Sequence, residues 1–192
     1  MKVSKILGIA AIAALALMAF ASTAAATTLE TNGVKQSGAV SLDLSLTSSA
    51  ATESTSGIFS NTCSTSTWQA TTSAVTGAVV SGSISAMSFS NCTHSPLVVN
   101  SKGSISIERI GTTTNGTVRS TGTSVTYPWT ILGEVVSFTC TTNNTYIGTL
   151  NGTASGATSI TLNAILTCGG VLPSARWTGT YTITGHSIGI VA

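Results

Sequence analysis

The chain is 192 residues long, only 6% of them are Asp, Glu, Lys or Arg, and its formal charge is +2 at neutral pH. A chain of this length suits one domain that buries about two-thirds of its unfolded surface, so it does not need disulfides merely to fold. Lys2 and Lys5 lie at the start; past them Lys35, Lys102, Arg109, Arg119 and Arg176 are balanced by Glu30, Asp43, Glu53, Glu108 and Glu134. Charge so sparse and so even excludes the basic footprint of a nucleic-acid or anionic-membrane binder and favours self-association.

Lys2 and Lys5 precede an apolar run over residues 6–20, and Ala24-Ala25-Ala26 follows it. This pattern predicts a secretory signal over residues 1–26, cleaved after Ala26 or, earlier, after Ala21. The competing reading is a membrane anchor, but the run is short for a bilayer span and has no stop-transfer flank. Residues 27–192 then form a single exported all-β domain with no transmembrane segment.

Residues 27–38 are small, polar and poor in apolar side chains. Val40, Leu42, Leu44 and Leu46 alternate with Ser41, Asp43 and Ser45, which places the aliphatics on one face of a strand. Residues 47–57 read as a flexible loop. Ile105 and Ile107 alternate within residues 104–110, and Ile160, Leu162, Ala164 and Leu166 repeat the pattern. Trp177, Gly179, Tyr181 and Ile183 close the series. No long stretch carries apolar residues at helical spacing, and turn signals such as Asn115-Gly116 and Asn151-Gly152 recur at short intervals. These features predict an antiparallel β-sandwich or barrel of about nine to eleven strands.

The four cysteines fall into two pairs, Cys63 with Cys92 and Cys140 with Cys168, separated by 29 and 28 positions. Each pair brackets a glycine-punctuated segment with an aromatic five or six residues after its first cysteine, Trp68 and Tyr146. If each segment folds as a hairpin, its ends become cross-strand neighbours, and two disulfide-closed hairpins result. Four cysteines also allow two other connectivities, of which 63–140 with 92–168 comes next.

Thr62-Cys63-Ser64, the run Ser88 to Thr93 (Ser-Phe-Ser-Asn-Cys-Thr), Ser137-Phe138-Thr139-Cys140 and the closing run Trp177 to Thr184 resemble a group of small secreted four-cysteine bacterial proteins, mostly actinobacterial and without assigned activity. Through the signal, the cysteines and Tyr127-Pro128-Trp129 the chain is also similar to a secreted proteobacterial activator of alkane oxidation. The resemblance to the first group implies an exported β-rich body and no particular chemistry.

Residues able to carry catalysis are few. Gly185-His186-Ser187-Ile188-Gly189 matches the G-x-S-x-G elbow, yet only three residues follow it, and the motif needs a helix and a triad histidine downstream. It reads instead as a strand with glycines at its bends. His94, His186 and Asp43 allow a dispersed triad, and Glu108 and Glu134 a carboxylate pair, though neither pattern is specific. No Cys-x-x-Cys spacing occurs and exported cysteines favour disulfides, so neither a metal nor a cofactor is expected. Thr-x-Thr runs read as solvent-facing strand residues rather than ligand ladders.

Tyr127, Trp129 and Trp68 are the candidate contact residues. Tyr127-Pro128-Trp129 places two aromatics around a proline that suits a sheet edge, where they can stack on a partner; packing in the core is the stronger rival. The sequence therefore predicts a non-catalytic protein that acts by surface contact at the cell envelope or in extracellular matrix, through self-association or a cell-surface partner. The alternative is a barrel-type carrier of a small apolar molecule, with Trp129 or Trp68 at its mouth. A secreted hydrolase is the remote third.

Overall fold

The computed structural model describes residues 26–48, 50–54, 60–170 and 172–192. The signal expected over residues 1–26 lies, but for Ala26, outside these. In chain order the strands are β1 (Thr27–Thr31), β2 (Val34–Lys35), β3 (Ser41–Leu46), β4 (Ala50–Ser54), β5 (Ser60–Ala74), β6 (Thr76–Gly77), β7 (Val80–Cys92) and β8 (Val98–Ser101). They continue as β9 (Ser104–Arg109), β10 (Gly116–Thr121), β11 (Ser124–Ile131), β12 (Glu134–Thr141), β13 (Thr145–Asn151), β14 (Thr158–Gly169), β15 (Ser174–Thr184) and β16 (Ile188–Val191). Every ladder is antiparallel, and among the described residues there is no helix.

Four long strands form the frame: β5, β7, β14 and β15 run 15, 13, 12 and 11 residues. Side-chain alternation drives them into a wall. Along β14, Thr158, Ile160, Leu162, Ala164 and Leu166 are buried while Thr161, Asn163, Ile165 and Thr167 face water, the one-sided burial that period-two patterning dictates.

Shorter strands complete the wall at two levels. At the first level, β9, β10 and β13 bridge from residues 80–83 of β7 to residues 159–162 of β14, and β3 lies between β15 and β5. This level is a closed eight-stranded barrel. At the second level, β4 takes β3's place between β15 and β5, and β12, β11 and β8 leave β14 in that order. The second level stops at β8, with no ladder from β8 to β7 among the described residues. The barrel and its extension together use twelve strands, one more than the expected nine to eleven, and β1, β2, β6 and β16 bring the number among the described residues to sixteen.

That small group seals the base. β16, β1 and β2 pair in order, β6 pairs β1, and Leu29, Ile188 and Ile190 are fully buried beneath the first level. Residues 27–31, polar but for Leu29, thus supply a plug strand. β4 departs from the sequence reading. Residues 50–54 were expected in a loop, yet they pair on both edges with β15 and β5. Residues 49 and 55–57 of that loop lie outside the described part.

Both predicted disulfides are present, Cys63–Cys92 and Cys140–Cys168. Each joins directly opposed residues. The first closes the β5–β7 hairpin. The second joins β12 to β14 with β13 between them in the chain, and β13 itself pairs the other half of β14. The two segments are therefore not copies. Trp68 points into the barrel at 3% exposure, whereas its counterpart Tyr146 is 43% exposed and hydrogen-bonds the Thr149 hydroxyl.

Aromatic rings fill the interior. Trp68 meets Trp177 and Tyr181 at 5.1 Å between ring centres, and Phe89 meets Trp177 at 5.6 Å. The Tyr181 hydroxyl donates to Ser66 Oγ (2.9 Å), which donates to the Ser88 carbonyl (2.9 Å). Burial lifts the Tyr181 phenol to about 12, with Ser66, Trp177 and Trp68 pulling the other way. The indole N–H groups of Trp68 and Trp177 are buried beside it without a well-formed hydrogen bond.

The turn from β8 to β9 shows why glycine is needed where the two levels meet. Gly103 has φ +68°, and a Cβ there would collide with the backbone of residues 121–123. Beside it Ser120, Thr123 and Thr142 form a buried hydroxyl cluster, in which Thr123 Oγ1 donates to the Lys102 carbonyl at 2.7 Å.

Candidate functional site

The β11–β12 hairpin projects from the second level. Its last residues paired on the flanks are Thr126, opposite Val98, and Thr139, opposite Gly169. The five residues from Tyr127 to Ile131 carry the turn about 16 Å further at the usual strand rise. Ile131 and Glu134 face each other across the two-residue turn Leu132-Gly133. Leu132 has φ +50° and Gly133 φ +88°, the geometry of a type I′ turn that ordinarily takes Asn-Gly. Leucine is costly in that left-handed conformation. It is also fully exposed, at 102%.

The pair flanking such a turn exchanges hydrogen bonds, so alternate pairs do not. Counting back from Ile131–Glu134 places Pro128, opposite Ser137, in a non-bonded pair. The proline nitrogen therefore faces the free edge beyond β8, where a missing N–H loses no ladder bond and blocks any added strand.

The two faces of the hairpin differ. Inward, Tyr127 and Phe138 stack at 5.0 Å and are buried, and Trp129 lies half-buried under the exposed His94 ring at 4.1 Å. Burial raises the Tyr127 phenol far above its ordinary range, and nearby Tyr181 adds to the rise. Asn61, itself buried, holds the loop that carries His94: its side-chain amide donates to the Ser95 carbonyl, and its oxygen accepts from the His94 backbone N–H.

Outward, Val135 is 69% exposed and Val98 52%, set among hydroxyls. Thr126 and Thr139 share a 2.7 Å hydrogen bond, and the Asn100 amide donates to Thr126 at 2.7 Å. These threonines hydrogen-bond along the strand face, as a solvated surface does. Between Arg119 and Arg176 the only charged residue is Glu134, beside the turn.

Of the three candidate contact residues, two are inside. Trp68 packs in the barrel and Tyr127 under the hairpin, at 3% and 4% exposure. Trp129 is half-buried and retains an exposed part. The alternating pattern that made them visible also buries them. The exposed apolar residues Leu132, Val135 and Val98 were not singled out. The available signal was leucine where a tight Ile-x-Gly-Glu turn favours asparagine.

The residues considered for catalysis lie on different elements. Ser187 donates its hydroxyl to Asn32 Oδ1 (3.2 Å) and the Ala154 carbonyl (3.0 Å), tying down a turn rather than facing a base. His186 shares an open cleft of about 460 Å³ with Asn32, Ser155 and Ser187. Ile188 and Gly189 of the G-x-S-x-G match belong to β16, as the strand reading expected. Asp43 accepts from Gln69 on the barrel's outer face, and Glu108 lies on β9, far along the chain from Glu134 on the projecting hairpin. Among the described residues no three of His, Cys, Asp and Glu come together.

Fold and site define an all-β barrel, pinned by two disulfides, with a projecting hairpin whose one charged residue is Glu134. Disulfides of this kind belong to an oxidising environment. Comparison with protein-family models, curated proteins and solved structures returns no match, including for the likenesses drawn from the chain's motifs.

Proposed function

We propose that this protein acts outside the cell by surface contact, without catalysis, as an adhesive, coat-like or surface-active module of the envelope or extracellular matrix. The observation that carries the reading is the hairpin tip. Leu132 combines an unfavourable backbone conformation with full exposure, a combination that gives the folded monomer nothing. Strain of this kind persists where a function uses it. Low charge and abundant hydroxyls keep the rest of the surface soluble without repelling a second surface.

The carrier alternative draws on the closed barrel, the geometry that encloses ligands in other folds. Against it stand the rings of Trp68, Trp177 and Tyr181, which meet one another in the interior. Adsorption of the purified mature chain to alkyl-coated and hydroxyl-coated sensors tests the proposal, alongside native mass spectrometry. Preferential retention on the alkyl layer by a protein free of bound mass is expected. Equal retention on both layers, or a monomer carrying a co-purified apolar molecule, overturns it.

A further inference from the structure

We infer that the surface met by the hairpin is a lipid one: the Leu132-Gly133 turn inserts shallowly into an uncharged bilayer leaflet. This rests on the proposed reading of the hairpin as the contact element. Three features choose lipid over a second copy of the chain. The tip is convex, a two-residue turn ending in a fully exposed leucine, and a fluid acyl layer takes up such a point without a matching pocket. Strand addition is obstructed on the β11 side, where Pro128 offers no N–H. The aromatic residue is set back as membrane-dipping elements require, since Trp129 lies three residues, about 10 Å, behind the tip at strand rise. With Leu132 at the acyl boundary, the exposed part of Trp129, whose ring packs against His94, lies at headgroup level, where indole rings concentrate.

Charge narrows the lipid class. From residue 120 to residue 175 the chain carries no Lys or Arg and one acid, Glu134 at the turn. Anionic headgroups gain nothing from such an arm and repel its carboxylate. Zwitterionic lipid is the match. The outward face extends the contact, with Val135 next to the tip and hydroxyls behind it.

Flotation of the mature protein with phosphatidylcholine vesicles, and with vesicles in which a third of the lipid is phosphatidylglycerol, provides the test. The wild type is expected to float with phosphatidylcholine and no better with the anionic mixture. Leu132→Asn should weaken partitioning about tenfold, since removing one leucine's burial is worth that much, and Val135→Thr should weaken it less. Asparagine tolerates the left-handed turn better than leucine, so a folding defect does not confound the result. Absent flotation, or equal flotation of wild type and Leu132→Asn, overturns the lipid inference. Retention on the alkyl sensor without flotation leaves surface contact standing and removes only lipid. Lipid-free dimerisation abolished by Leu132→Asn overturns it in favour of a second copy.

Discussion

Cys140 and Cys168 face each other across β12 and β14 with Cα atoms 3.9 Å apart, in a ladder that is only three residue pairs long. That short ladder is where the whole β12–β11–β8 extension joins the barrel. Cys63 and Cys92 are as close, at 3.8 Å, but sit at the end of a β5–β7 ladder of ten paired positions. One disulfide reinforces a hairpin that would pair without it. The other anchors the element proposed to make contact.

Losing the 140–168 bond should therefore have a local signature. Closing a loop of this size is worth about 3–4 kcal/mol in the chain-entropy model, and Cys140→Ser/Cys168→Ser should lose about that in denaturant midpoints. Amide exchange should rise across residues 124–141 well before the barrel opens. The Cys63→Ser/Cys92→Ser pair should lose similar stability without exposing that segment. Equal exchange patterns in the two variants would contradict the anchoring role.

Leu132→Gly and Leu132→Asn should raise stability by about 0.5–1 kcal/mol, since either residue relieves the left-handed strain. Chemical denaturation reads this directly. A substitution that stabilises the fold while weakening adsorption marks the leucine as functional; one that destabilises it would show that Leu132 packs.

The aromatic interior makes two opposite forecasts. Trp177→Ala should cost about 3–5 kcal/mol, the usual range for emptying a large aromatic site. Trp68→Phe should cost less than about 1.5 kcal/mol, because it also removes a buried N–H that lacks a well-formed partner. A loss for Trp68→Phe as large as for Trp177→Ala would mean that the indole nitrogen is well bonded.

Alkali should unfold the protein over a defined window. The phenol of an unfolded tyrosine titrates at 10.0, and burial holds Tyr181 up to about 12. Above pH 10 the unfolded chain gives up its protons first, so stability is full below that value and falls as pH climbs toward 12. The slope is about 1.4 kcal/mol per pH unit for each such tyrosine. Tyr127 shifts in the same direction and adds to it. Denaturant midpoints at pH 9, 10.5 and 11.5 measure the effect, and Tyr181→Phe should flatten it. A midpoint unchanged to pH 11.5 would contradict the burial of these phenols.

Much of the architecture could be read from the chain, and the exceptions share a cause. Leu42, Leu44, Ile160, Leu162 and Tyr181 announce their faces because alternation is a local property, and the cysteine spacings point to their partners. Ala50, Ala51, Thr52, Glu53 and Ser54 look like a loop because nothing in their composition favours a strand. Two long neighbours, β5 and β15, impose one on them. The 140–168 segment looks like a hairpin because the sequence cannot show that β13 turns away to close the first level while β12 starts the second. Among the candidate contact residues the most visible, Trp68 and Tyr127, are aromatic and buried. Leu132 is a weaker signal, a leucine before Gly133 in a tight turn, whose left-handed backbone and full exposure the structure makes plain.

The most direct measurement is hydrogen–deuterium exchange of the mature protein free in solution and adsorbed on phosphatidylcholine vesicles or an alkyl surface. Protection confined to residues 127–138 and the adjoining Val98 strand is the predicted result. Protection spread over the barrel's outer face, or none at all on adsorption, would contradict the account.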